Sequence, residues 1–197
     1  MLRINQIIFA TFFILIFYSC NGQVDTNVIC KKKFKEARDL VYVSPNTIRQ
    51  SALDSALNLA NECLQCDSIK KAVVDFKIAL LITTKKYSEG MNFISSLKND
   101  DFTFGYKKNV AYKNFQALAY ASTNDTTKQK LVYREIANDL EQYIKQQNIN
   151  AKEFEEIYID LFSVKENFLD VNEINKEVEA LEKKNPDKST FFEFLKK

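Results

Sequence analysis

The stretch Ala52–Leu97, ALDSALNLANECLQCDSIKKAVVDFKIALLITTKKYSEGMNFISSL, decides the fold. Its first part spaces Leu53, Ala56, Leu57, Ala60, Cys63 and Leu64 at i, i+3, i+4, i+7, a stripe that only a helix gathers on one face. Gln65-Cys66-Asp67-Ser68 then stops that helix, and the short side chains of Asp67 and Ser68 suit a turn and the N-cap of the next one. The second part carries Val73, Phe76 and Leu80 on one side and Val74, Ile78 and Leu81 on another, the pattern of a helix sandwiched between neighbours. Lys85-Lys86 breaks it, and Tyr87-Ser88-Glu89-Gly90 opens a third helix with Ile94 and Leu97 inside. Glycine inside a helix costs about 1 kcal/mol relative to alanine. A close helix crossing at Gly90 is therefore expected, one that tolerates alanine and rejects leucine.

Composition extends the helical reading to the whole chain of 197 residues. Three glycines and two prolines leave hairpin turns and sheet bulges without their usual residues, so the fold class is all-α. A formal charge of +2 is too small for nucleic-acid binding. The chain has no histidine, which removes the common general base, metal ligand and triad partner. There is no glycine-rich phosphate loop and no serine flanked by glycines, and the pairs Glu155-Glu156 and Asp100-Asp101 read as solvated surface. Neither an enzyme nor a cofactor is expected.

Ahead of this domain, Arg3 precedes an apolar run from Ile7 to Phe17, with Ser19 directly before Cys20. The run is too short to span a membrane comfortably and has the layout of a cleaved leader over residues 1–19. Phe17-Tyr18-Ser19-Cys20 resembles a bacterial lipobox. That resemblance implies a lipoprotein in which Cys20 receives the lipid, palmitate-type acyl chains included, and anchors the chain in the cell envelope. Asn21 after the cysteine implies the outer membrane under the usual sorting rule, facing either the periplasm or the surface. Residues 20–29 form a polar tether. The domain then spans 30–197, opening with a helix from Cys30 to Val43 that turns Phe34, Ala37, Leu40 and Val41 inward, while Lys31, Lys32, Lys33 and Lys35 form a solvated face or, close to the anchor, a contact with anionic head groups. Ser44 caps the following helix and Pro45 takes its first position.

Cys63 and Cys66 make a CxxC, but with no second pair and no histidine they cannot complete a zinc site. They read as core cysteines, with a bridge from Cys30 to Cys63 or Cys66 left open. With Pro45 starting the second helix, a helical Cys30 stands level with Leu57, so a bridge requires the chain at Cys30 to be extended.

Gly90 lies 34 residues beyond Ala56, and Leu97 lies 34 beyond Cys63. This period, with small residues at helix crossings, resembles the tetratricopeptide repeat. The resemblance implies stacked antiparallel helix pairs in a right-handed superhelix. The later pairs are Tyr106 to Ser122 with Thr126 to Gln147, and a helix capped by Asn150 and Glu153 with one capped by Asp170 and Glu173. Asn185-Pro186-Asp187 closes the last, and Ser189 caps a short end-covering helix with Phe191, Phe192 and Leu195. The repeat's groove positions fall on Asp75, Ala79, Ile82 and Thr83, then Asn114, Leu118 and Ser122, then Glu156, Ile159, Ser163 and Asn167. They imply a lipid-anchored adaptor that binds a protein or peptide. A toxin-neutralising, immunity-type lipoprotein and a structural scaffold are the alternatives.

Overall fold

The computed structural model describes residues 26–42, 50–146 and 149–196; the leader, Cys20, Ser44 and Pro45 lie outside them. The described residues contain no strand. Helices run α1 Thr26–Tyr42, α2 Gln50–Cys63, α3 Lys70–Thr83, α4 Tyr87–Ser96, α5 Lys107–Ser122, α6 Thr126–Gln146, α7 Ala151–Lys165, α8 Val171–Lys184 and α9 Ser189–Leu195. Each helix from α1 to α6 packs on the next in sequence, and α9 lies against both α8 and α7. The all-helical expectation thus holds.

Two apolar cores run through the stack. The first joins the stripe of α2 to Val73, Val74, Leu80 and Leu81 of α3, and to Phe93, Ile94, Phe102 and Phe115. The second gathers Tyr106, Ala117, Ile136, Leu140, Ile157, Leu161, Ile174, Val178, Phe192 and Leu195. Helix α5 serves both, with Phe115 in the first and Ala117 in the second. Its two-sided apolar pattern follows from that position. Helix α3 buries two faces, as its sequence predicts, and Phe192 fills the far end of the second core.

The turns explain how helices this closely connected reverse direction with so little glycine. After α3, Lys85 adopts φ 56, its N–H bonds to the Ile82 carbonyl at 3.0 Å, and the Lys86 N–H bonds to Leu81 at 2.9 Å. After α5, Asn124 at φ 58 does the same with Ala121 at 3.0 Å, while Asp125 reaches Tyr120 at 3.0 Å. Both are Schellman closures in which a non-glycine residue occupies the left-handed position. At the N-termini, Asn150 accepts from the Glu153 N–H at 3.0 Å, and Asp170 and Glu173 form a reciprocal capping box with both bonds at 2.9 Å. These caps sit where the sequence predicts them. Two others do not. Ile69 holds the N-cap of α3, and the Ser68 hydroxyl donates instead to Asn27 Oδ1 at 2.8 Å. Lys188 holds the N-cap of α9, and the Ser189 hydroxyl turns back to Glu182.

The crossing expected at Gly90 exists, with two corrections. It joins α4 to α5, helices of successive pairs, because the neighbour is Phe115. A Cβ added at Gly90 would stand 2.3 Å from Phe115 Cε1 and 2.5 Å from Cζ. Phe115 is itself fully buried. There is no room even for alanine.

The cysteines give a further correction. Cys30 is bridged to Cys66, with Cα atoms 6.1 Å apart, and it is helical, lying inside an α1 that begins already at Thr26. The register expected from the sequence, with Cys30 level with Leu57, is not the one observed: Cys30 stands beside Cys63 and Cys66. The Cys63 thiol, buried and unbridged, donates to the Cys30 carbonyl at 3.8 Å, and Lys33 pairs with Glu62 at 2.6 Å.

Candidate partner-binding face

Three helices carry the groove positions: α3, α5 and α7. Residues 106 and 107, at the start of α5, are held there by the turn from Asn99 to Gly105, whose Phe102 is buried and whose Phe104 stacks on Tyr106 with centroids 6.0 Å apart. Lys107 Nζ lies 2.7 Å from Glu156 Oε2 and 3.6 Å from Asp160 Oδ2. Those two carboxylates are one turn apart on α7 and therefore share a face. The Tyr106 hydroxyl donates to Asp160 Oδ2 at 2.9 Å. Asp75 of α3 feels the same cation, which pulls its carboxyl pKa down while Glu156 pushes it up. Lys107 of α5 thus pairs with two carboxylates of α7, and Asp75 of α3 lies within its electrostatic reach.

The electrostatics describe a recess. Desolvation is the largest influence on Asp75 and holds its carboxyl above the ordinary range, although Asp75 is open to water. Both statements fit a group on a recess wall, where water touches the carboxylate but protein replaces much of the surrounding solvent. Asp160 is likewise raised, burial first, against the opposing pull of Lys107 and Tyr106. Burial also pushes the Tyr106 phenol far up, reinforced by Asp160. For Lys107 burial acts downward, but Glu156, Asp160 and Asp75 outweigh it and the ammonium is stabilised. One cation among three carboxylates leaves the recess with excess negative charge.

None of the eleven groove positions is buried: Ile82, Asn114, Leu118 and Glu156 are half-buried, and the other seven are exposed. Their chemistry divides them. Thr83 donates its hydroxyl to the Ala79 carbonyl at 2.9 Å, Ser122 to Ala119 at 2.7 Å, and Asn167 its amide to Ser163 at 3.1 Å and Val164 at 3.0 Å. These groups close their own helices. Asp75 and Glu156 gather around Lys107, while Ile159 offers an apolar surface beside them, 39% exposed.

No family model matches the chain, and no curated protein or solved structure does either. The reading of this face accordingly rests on its own residues. Repeat register alone does not reach Tyr106, Lys107 and Asp160, which lie outside the groove positions it gives. Asp160, four residues after Glu156 on one helix, was findable from that spacing. Among the described residues no group of acidic or cysteine side chains is placed to hold a metal ion, and no helix is long and apolar enough to cross a membrane.

Proposed function

We propose that this chain is a lipid-anchored cell-envelope protein that binds a protein or peptide on the face shared by α3, α5 and α7, within a tetratricopeptide-like right-handed stack. The observation that carries the reading is the meeting of Asp75, Lys107, Glu156 and Asp160 from three separate helices. A face assembled from alternate helices is what a repeat stack offers an extended ligand. The negative excess favours a segment that brings an ammonium or guanidinium group into the recess, with Ile159 as apolar contact. The anchor is Cys20, and the Cys30–Cys66 bridge supports an oxidising compartment, where disulfides persist.

A pull-down from envelope extract, followed by a binding assay on folded variants, tests the proposal. Asp75→Ala with Glu156→Ala should weaken capture severely and steepen no thermal transition, and higher salt should weaken the wild type. Unchanged binding by that pair, with loss on changing Arg134 or Gln142 on α6, would move the function to the opposite surface. Recovery of a single toxin-like partner from the adjacent coding region selects the immunity-type reading. Cys20→Ser should release the chain from membranes and stop acyl labelling.

A further inference from the structure

The outer side of α1, near its start, carries a stripe that the rest of the fold does not use. Val28, Lys31, Lys32 and Lys35 stand at i, i+3, i+4 and i+7, and a helix brings such positions to one face. All four are exposed, Val28 by 58%, and Ile29 at the flank of the stripe is 41% exposed. Cys30 and Ala37, on the opposite side, are buried in the first core. Among the described residues the three lysines make no ion pair, whereas Lys33, which lies off the stripe, is held by Glu62 at 2.6 Å.

Residues 26–35 hold four lysines and no acidic residue, and only then do Glu36, Arg38 and Asp39 follow with mixed sign. Positive charge is thus gathered at the end of α1 that joins the tether. A helix is stabilised by acidic groups at its start, and α1 has none in its first turn. The placement therefore does not serve the helix itself. The Cys30–Cys66 bridge leaves α1 between Ile29 and Lys31 and ties this turn to the chain just ahead of α3, so the stripe keeps a fixed orientation on the stack. Cys20 stands six residues ahead of Thr26, a separation of at most about 20 Å even at full extension. With lipid on Cys20, the start of α1 is confined within that reach of the bilayer.

We infer that the first half of α1 is a docking face for an anionic phospholipid surface, where Lys31, Lys32 and Lys35 meet head-group phosphates and Val28, flanked by Ile29, enters the head-group region. The inference rests on the Cys20 anchor for its closeness to the bilayer, and goes beyond it by fixing which side of the domain lies against the membrane. Each lysine that reaches such a surface favours the docked state by roughly five-fold. Three together hold the domain down on an anionic bilayer and add nothing on a neutral one. Lysine stems lie along apolar surface while their charged ends stay wet, so the ammonium groups and Val28 can share one interface.

The chain has no tryptophan, so Val28→Trp puts a single fluorophore in the stripe, and Leu131→Trp, at a position 56% exposed on α6, puts one elsewhere. Each full-length variant is produced in bacteria, extracted in detergent and reconstituted on vesicles of brominated phosphatidylcholine, alone or mixed with phosphatidylglycerol. Val28→Trp should be quenched and shifted to the blue on the mixed vesicles only, and should lose both effects at roughly 1 M salt, where the screening length falls to about 3 Å. Lys31→Gln, Lys32→Gln and Lys35→Gln together should abolish the quenching and leave the melting temperature unchanged. Equal signals on the two kinds of vesicle, quenching that survives the triple change, or Leu131→Trp quenched as strongly as Val28→Trp overturns the inference. Mass spectrometry of Cys20 reads the anchor separately. Acyl chains without lipid-dependent quenching keep the anchor and overturn the docking face, whereas lipid-dependent quenching without acyl chains removes the anchor and keeps the face.

Discussion

Replacing Gly90 by alanine sets two effects of known sign against each other. The new methyl group improves helix propensity in α4 by about 1 kcal/mol. It also enters the ring of Phe115, at 2.3, 2.5 and 2.6 Å from three ring carbons. Carbon atoms in contact prefer roughly 3.5–4.0 Å, so the overlap is about 1 Å or more on each of the three atoms. Phe115 is fully buried and cannot swing into solvent. Relief requires α4 and α5 to separate, which loosens the seam between the two cores. Overpacking of this kind costs about 1–3 kcal/mol, and three overlapping atoms place the cost near the top of that range. The net expectation is a loss of about 1–2 kcal/mol, or on the order of 2–8 °C in Tm for a chain of this size. Urea unfolding followed by circular dichroism reads it directly. Phe115→Leu alone should also destabilise, by leaving a cavity, but in that background Gly90→Ala should become neutral or stabilising. A single Gly90→Ala variant that melts at or above the wild-type temperature refutes the crossing.

Removing the bridge with Cys30→Ser should lower stability by about 2–4 kcal/mol, and adding reductant to the wild type should reproduce the loss. Lys107→Met leaves Asp75, Glu156 and Asp160 without their cation and should cost about 1 kcal/mol at pH 7, a value suited to partly exposed pairs. Because the Asp75 and Asp160 carboxyls are already raised above 3.8, the native state takes up their protons first. Their charged forms therefore penalise the fold as pH rises, and the gap between variant and wild type should close as pH falls through the raised range toward 3.8. On the alkaline side the raised Lys107 contributes stability that is complete below 10.5 and lost as pH climbs through its folded value. Tm profiles of both proteins from pH 3 to 11, roughly, check both limbs. Asp170→Ala removes one half of the capping box on α8 and should cost about 1 kcal/mol, with Asp170→Ser recovering most of it in the same unfolding assay.

What the sequence made legible was local. The stripe from Leu53 to Cys63, the two buried faces of α3 and the caps at Asn150 and Asp170 each depend on residues within a few turns of one another, and all appear as read. Gly90 was legible as a close approach because its helical cost demands a reason, but its partner Phe115, in a different helix, was not. The register of α1 against α2 is a relation between two helices, which the apolar period within each does not fix. The bridge from Cys30 to Cys66 was hidden for that reason. The Lys107 recess was half legible: Asp75 and Glu156 follow from repeat register, whereas Tyr106 meets Asp160 across 54 residues of sequence.

The Cys30–Cys66 bridge also sets the path of mechanical load. Tension on the chain ahead of Thr26 passes through one turn of α1 to Cys30, crosses the covalent link to Cys66 and enters the stack at the short turn before α3. The rest of α1, the link and all of α2 lie off that line. Shear between α1 and α2 is removed, and the force arrives instead at α3, whose two buried faces are anchored on both sides. A steady pull from the N-terminal side therefore meets the best-packed helix of the first core, while the hairpin in front of it stays slack.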